Sequence, residues 1–185
     1  MRRGAAWACL PKRFGKPSSV CRRFQRPAQN DVWATVFEAL KTLGLDWVML
    51  DSTVLGPHYH SIGQKESIPV RECLGRTRGG MSTKIHACIA ALNNAGRLVA
   101  TAGQASLCPQ ALGLLQDLDT RMAIPDTSYD SDANLAYCTE KGIAVVIPNR
   151  PNRTELVPLD EEYYRDRNRI KRFFGRMKQC QQLAT

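Results

Sequence analysis

The sequence has no hydrophobic run long enough to cross a membrane and no spacing that would organise its cysteines. A membrane-spanning helix needs about 20 consecutive apolar residues, and no stretch of the 185 residues approaches that length. The seven cysteines are scattered, odd in number and never separated by two residues, which argues against a disulfide framework or a zinc knuckle. No apolar segment follows the basic N-terminus, so no secretory signal peptide is expected. These absences predict a globular protein of the reducing cytoplasm, with no membrane partner.

Acidic residues are absent from the first thirty positions, which hold eight lysines and arginines. Residues 163–185 carry seven basic residues and one acid, whereas the formal net charge of the whole chain is only +9. The middle of the chain is therefore acidic overall. Basic ends favour binding of a polyanion such as double-stranded DNA, and the carboxylates between them then serve another purpose. The alternative is a basic surface that only keeps the protein in solution.

The order of the predicted elements indicates a mixed α/β fold. A short helix around 18–25 and a helix over 31–43 precede the first strand, and the glycine- and proline-rich residues 56–80 predict a long loop. Apolar periodicity and turn residues predict strands at 46–55, 84–92 and 97–102, a helix at 109–118, a strand at 122–126, a helix at 131–141, a strand at 143–147 and one long helix at 161–183. This β-β-β-α-β-α-β-α order is that of the ribonuclease H-like fold, a mixed sheet flanked by helices.

Two aspartates lie where a carboxylate is costly. Asp51 lies within an apolar strand and Asp126 ends another. Burying a carboxylate costs several kcal/mol unless a partner compensates its charge, and a divalent cation such as Mg²⁺ is one such partner. The alternatives are local: Asp51 could bond to Ser52 or Thr53, and Asp126 could shape a turn or cap a helix. Asp130 or Ser131 is expected to cap the helix that follows.

Four blocks in order along the chain carry a family resemblance. They are Trp47-Val-Met-Leu-Asp-Ser-Thr, Gly75-Arg-Thr-Arg-Gly-Gly-Met-Ser-Thr-Lys-Ile-His-Ala, Asp126-Thr-Ser-Tyr-Asp-Ser-Asp and Tyr164-Arg-Asp-Arg-Asn-Arg-Ile-Lys-Arg-Phe-Phe-Gly-Arg-Met-Lys. In these blocks the chain resembles the DDE transposases of bacterial insertion sequences, in the branch with short transposases. The resemblance implies a ribonuclease H-like core and two-metal phosphoryl transfer, in which transposon ends are cut and joined to target DNA.

The resemblance also implies a catalytic set, from which this sequence departs at one position. The first two metal-binding acids would be Asp51 and Asp126. The third acid belongs to the pattern Tyr-x2-Arg-x3-Glu-x6-Lys, which here reads Tyr164, Arg167, Lys171 and Lys178. Lysine therefore stands at the position of the expected glutamate, and a Mg²⁺ or Mn²⁺ site with two metal ions is expected to be impaired.

The remaining basic residues are expected to contact DNA. Arg76 and Arg78 lie in a glycine-rich loop suited to phosphate contacts, and Arg22 and Arg23 lie in the basic head. Tyr164, Arg167 and Lys178 are expected to contact DNA from the last helix. By the resemblance, residues 1–45 are the end of an N-terminal DNA-binding segment and residues 46–185 form the transposase core, with both ends of the chain cut short.

Two functions remain open at this point. The chain could be a transposase that cuts and joins DNA, or a catalytically silent DNA-binding protein derived from one. A cellular ribonuclease H-like nuclease would leave the Tyr164, Arg167 and Lys178 pattern unexplained. DNA of the bacterial nucleoid would be the expected partner in either case, and the sequence leaves the oligomeric state open, a homo-oligomer included.

Overall fold

A computed structural model describes residues 7–41, 45–56, 73–154 and 156–179. Two helices open the described chain: α1 (Pro17–Gln29), which begins with proline at its first position, and α2 (Val32–Lys41). Short 3-10 turns lie before α1, at Trp7–Cys9 and Lys12–Phe14. The first predicted helix is therefore longer than expected, while the second was predicted closely. No side chain whose burial is described in this segment is buried, so it adds little to the core.

Six strands form one mixed sheet among the described residues. Their bounds are β1 Trp47–Leu55, β2 Gly75–Thr77, β3 Gly80–Ala90, β4 Ala95–Ala102, β5 Met122–Pro125 and β6 Ala144–Val145. The sheet runs β2-β3-β1-β5-β6, and β4 pairs with β3. β1 and β3 are antiparallel, whereas β1, β5 and β6 are parallel. Part of the predicted loop at 56–80 is thus wrong, because Gly75–Thr77 is a strand; residues 57–72 of that prediction lie outside the described residues.

Helices pack on both faces of the sheet. The helices are α3 Cys108–Leu115, α4 Asp132–Glu140, α5 Glu161–Arg165 and α6 Asn168–Lys178. Strand β1 contributes alternate side chains to the two cores, since successive residues of a strand face opposite sides. Val48 and Leu50 pack with α3 and α4, and Met49 packs with Ile170 and Phe174 of α6. None of the described helices is of a length and polarity that would let it span a bilayer.

Helix α3 ends earlier than the sequence pattern predicts. The pattern extended it to Leu118, but the backbone leaves the helix at Gln116, with φ −55° and ψ 132°. The next residue, Asp117, has a left-handed φ of 58°. Aspartate is one of the few residues that enters this region readily, and its presence here stops the helix.

The predicted long helix at 161–183 is wrong, because the structure divides it. Helix α5 ends at Arg165 and α6 begins at Asn168. At the junction the backbone bonds shorten to three residues, from Asp166 N to Tyr163 O and from Arg167 N to Tyr164 O, each at 3.1 Å. Hydrogen bonds between residues three apart are those of a 3-10 turn. They interrupt the α-helical hydrogen bonding between α5 and α6. Helix α6 packs on the sheet through Ile170 and Phe174, which are buried.

Candidate functional site

Strand alternation and register bring Asp51 and Asp126 to one face of the sheet. Asp51 lies two residues after Met49 on β1 and therefore faces α6 with it. Residue Ile124 of β5 belongs to the same core, and Asp126 follows it at the same spacing. In the parallel β1–β5 pair Leu50 lies opposite Pro125. The two acids therefore lie side by side, Asp51 in the middle of β1 and Asp126 directly after β5.

The guanidinium of Arg167 joins these two acids. Its Nη2 atom lies 3.0 Å from Asp51 Oδ2 and 3.1 Å from Asp126 Oδ1. The Arg167 side chain is only 9% exposed, whereas the acids are 16% and 30% exposed. Arg167 lies at the junction between α5 and α6, so the tightened turn places it over the sheet. One buried cation thus compensates two carboxylates at once.

Neighbouring groups orient each acid. The Ser52 N–H donates a hydrogen bond to Asp51 Oδ1 at 2.8 Å, and the Ser128 hydroxyl donates to Asp126 Oδ2 at 3.1 Å. Burial raises the pKa of Asp51 above its ordinary value. The charges of Arg167 and Lys171 and the Ser52 hydrogen bond act against that rise, and the charge of Asp126 adds to it. Each acid is therefore fixed in place and exposed to its neighbour's charge.

Lys171 lies one helical turn beyond Arg167 and is exposed on α6. Its charge acts on Asp51, so it belongs to the surroundings of the acid pair. Among the described residues, no group of three or more histidines, cysteines and acids could hold a metal ion. The residues present do not fit a two-metal centre, because two carboxylates already share one guanidinium and a second cation stands beside them.

Two arginines after β6 hold the turn that carries Asp126. Arg153 forms an ion pair with Asp130, whose side chain is 1% exposed, and a second one of 2.9 Å with the exposed Asp132. The Arg150 backbone N–H donates to Asp130 Oδ2 at 3.1 Å, and its guanidinium donates to the Ser128 carbonyl at 3.0 Å. The loop after β6 thus holds the turn from Ser128 to Asp132 in place through these ion pairs and hydrogen bonds.

The structure decides between the two predicted caps of α4 and adds residues that the sequence did not reveal. Asp130 does not cap α4: Ser131 does, and its hydroxyl accepts a hydrogen bond from the Asn134 N–H at 3.3 Å. No pattern in the sequence linked Asp130 to Arg150 or Arg153. The one available signal was a pair of arginines just after an apolar strand, and it does not identify a partner twenty residues away.

A buried polar group lies on the opposite face of β1 and β3 from the acids. His86 is fully buried, and its Nε2 lies 2.9 Å from the Thr101 hydroxyl. Its Nδ1 lies 3.4 Å from the hydroxyl of Tyr129, a residue of the Asp126 turn. Burial raises the pKa of Tyr129, and the nearby Asp51 raises it further. The polar residues behind the sheet therefore connect β3 and β4 to that turn.

The stability of the protein should fall in mild acid because of His86. Burial, aided by the charge of Lys84, lowers its pKa to about 4, against about 6.5 in the unfolded chain. Between about pH 4 and pH 6.5, His86 therefore binds a proton more readily in the unfolded state than in the folded state. We expect stability from this group to be complete above pH 6.5 and to fall by up to about 2 kcal/mol by pH 5.

Urea unfolding of the wild type and of His86→Gln at pH 7.5 and pH 5 tests this expectation. Asp51, whose pKa is raised, acts in the opposite direction, so the informative quantity is the difference between the two proteins. Equal losses of unfolding free energy in both proteins would show that His86 does not produce the effect.

The basic residues predicted to contact DNA lie in different parts of the fold. Arg76 on β2 and Arg78 in the turn to β3 are exposed. Because β2 pairs with the start of β3, their hairpin extends the sheet beyond Leu55, the carboxyl end of β1, which lies four residues after Asp51. Lys178 is exposed at the end of α6, and Tyr164 is half-buried against the core. The remaining two predicted residues are exposed on α1: Arg22 and Arg23.

Comparisons with known proteins give two sequence relatives. The chain is 33% identical over 107 residues to a Brucella ovis protein described as a transposase for insertion sequence element IS6501, a match covering 56% of this chain and 82% of the relative. It is also 33% identical over 67 residues to the uncharacterized protein y4sN of Sinorhizobium fredii, covering 36% of this chain and 54% of that protein. No family model matches the chain.

Part of the chain is similar to solved structures, among them the piggyBac transposase, determined by cryo-EM in a synaptic complex with hairpin DNA. The TM-score is 0.40 and the sequence identity 15%, and the match covers 62% of this chain and 25% of the piggyBac chain.

Proposed function

Because the chain belongs to the insertion-sequence transposase family of the Brucella ovis relative, we propose that it is a DNA-binding transposase of the DDE class whose cleavage activity is impaired. The observation that carries this proposal is the pair Asp51 and Asp126 on neighbouring strands, with Lys171 at the third position. The pair matches the first two acids of the DDE pattern. The lysine is the reason to expect little or no strand cleavage.

The topology supports a ribonuclease H-like core over residues 46–185. Three antiparallel strands, β1, β3 and β4, are followed by β5 and β6 in parallel with β1, and helices cover both faces. Open sheets of this kind bind ligands at the carboxyl ends of their parallel strands, and Asp126 directly follows β5. The short strand β2 extends this arrangement and does not alter it.

DNA binding through phosphates is the second part of the proposal. Four basic residues of α6 are exposed, and the first of them acts on Asp51: Lys171, Arg172, Arg176 and Lys178. The β2–β3 hairpin adds the exposed Arg76 and Arg78. Exposed lysine and arginine side chains provide sequence-independent affinity for a polyanion. The basic helix α1, within the proposed N-terminal DNA-binding segment 1–45, would supply further contacts.

A catalytically silent DNA-binding protein is the alternative that one observation favours. The described residues offer two acids at the site, and Arg167 binds both of them. A protein that holds transposon ends without cutting them needs the basic surface only. The two alternatives therefore share the same DNA interface and differ in whether any cleavage survives.

The affinity for duplex DNA should fall steeply with salt. Each phosphate contact contributes a slope of about −0.9 in log K against log salt concentration. We expect Arg76→Gln and Arg78→Gln each to reduce the magnitude of this slope by about 1. Fluorescence anisotropy with duplex DNA over a salt series, without divalent ions, measures the slope.

A matched variant tests whether location matters. Arg121 is exposed just before β5, at the other end of the sheet from the β2–β3 hairpin, so Arg121→Gln removes the same charge outside the proposed DNA surface. We expect its slope to match that of the wild type. Salt-independent binding, or equal effects of Arg121→Gln and Arg76→Gln, would contradict the proposed interface.

A further inference from the structure

We propose that Arg167 is the resident cation of the acid pair and that its guanidinium excludes a divalent metal ion from the wild-type chain. This role of Arg167 concerns the site without DNA and does not depend on the proposed function. Two acids on neighbouring strands would suit a shared metal ion, but the charged side chains around Asp51 and Asp126 are basic.

The guanidinium of Arg167 lies between the two acids. One nitrogen, Nη2, lies within 3.1 Å of one oxygen from each acid. An ion shared by Asp51 and Asp126 would bind between the same two residues, because hard divalent cations bind carboxylate oxygens directly. The position between the carboxylates is therefore already taken by a group of positive charge.

The positive charge of that group is permanent. An arginine guanidinium stays protonated at any pH at which proteins fold. Its pairing with the acids therefore cannot be released by titration of Arg167 itself. A divalent ion would have to displace the guanidinium against its attraction to two carboxylates.

The surroundings of Arg167 hold it in place. The residue is 7% exposed, and its guanidinium carbon lies 5.9 Å from the ring centre of Tyr164. Its Nε atom is buried and has no hydrogen-bond partner among the described residues. If the guanidinium were displaced, it would lose its two carboxylate partners. No other acceptor lies beside Nε among the described residues to replace them.

The electrostatic surroundings act in the same direction. A divalent ion beside Asp51 would stand near the charges of both Arg167 and Lys171. The described residues supply no third carboxylate there to balance them. Arg167 acts instead as a crosslink that joins β1, the β5 end and the start of α6 without metal.

The experiment compares Arg167→Met, which removes the charge and keeps the length of the stem, with Arg172→Met, which removes the same charge from an exposed position of α6. Mn²⁺ binding to the DNA-free full chain is measured by electron paramagnetic resonance and by the shift in melting temperature. We expect no binding by the wild type or Arg172→Met at millimolar Mn²⁺. Arg167→Met should melt at a lower temperature without metal, bind Mn²⁺ at least about tenfold more tightly than the wild type, and regain melting temperature with it.

Mn²⁺ binding by the wild type as tight as that of Arg167→Met would overturn the proposal, as would Arg167→Met being no less stable than Arg172→Met. If Arg167→Met does not fold, the proposal is tested by Mn²⁺ binding to the wild type only. Paramagnetic broadening of the Asp51 and Asp126 carboxyl resonances by Mn²⁺ would overturn the proposal, and their persistence supports it. DNA affinity measured without metal reports separately on the proposed function.

Discussion

Lys171→Glu is expected to bind Mn²⁺ more tightly than Lys171→Ala, and Lys171→Ala more tightly than the unchanged chain. Two unit charges about 4 Å apart interact by roughly 4 kcal/mol at an effective dielectric constant of 20. Lys171 is exposed, so we expect a smaller effect: glutamate should raise the affinity at least about tenfold over alanine, whereas alanine, which leaves Arg167 between the acids, should raise it only slightly over lysine. Lys171→Glu is also the change most likely to restore some cleavage, because it supplies the third acid of the DDE pattern.

A glutamate at 171 would also change the position of Arg167. Residues 167 and 171 are four apart, and side chains at that spacing meet on one side of a helix. A carboxylate there offers the guanidinium an alternative partner and draws it away from Asp51 and Asp126. The substitution therefore acts twice: it adds a metal ligand and it weakens the crosslink that occupies the site.

The measurement compares all three proteins for Mg²⁺ or Mn²⁺ binding and for nicking of DNA that carries the transposon ends. Metal affinities that rank glutamate above alanine above lysine support the assignment of position 171. Strong nicking by the lysine form would place the third acid elsewhere in the chain. Tight metal binding by Lys171→Glu without nicking would locate the remaining defect outside the acid pair.

Arg153→Met should lower the free energy of unfolding by about 3–5 kcal/mol. Asp130 is 1% exposed, and removing its partner leaves a buried charge uncompensated, which is far costlier than loss of a surface ion pair. Urea denaturation measures the change. The turn that carries Asp126 should loosen as well, since Arg153 and Arg150 both hold it.

Two variants control for this prediction. Asp132→Asn breaks the other ion pair of Arg153, whose acid is 95% exposed, and should cost no more than about 1 kcal/mol. Asp130→Asn in the Arg153→Met background removes the stranded charge and should recover part of the lost stability. A loss for Arg153→Met no larger than that for Asp132→Asn would show that the buried pair does not stabilise the turn.

Part of the candidate site could be predicted because an acidic residue within or just after an apolar strand is unusual. Asp51 stands out within an apolar strand, and Asp126 stands at the end of another, and their strands are neighbours. The departure at Lys171 was likewise visible in the residue pattern. The role of Arg167 was not, because its sequence position predicts a helical residue beside DNA, whereas the structure buries it against both acids.

The sequence by itself determined most strands and helices, though not β2 or the ends of α3 and α5, because apolar periodicity and turn residues act within a few positions of the chain. It also determined the basic ends and the lysine in place of an acid. Only the tertiary structure decided the break between α5 and α6, the clamp of Arg153 on Asp130 and the bridge of Arg167 between Asp51 and Asp126. The two ion-pair sites each bring together charges that are far apart in the chain, and they do so where an uncompensated carboxylate costs several kcal/mol.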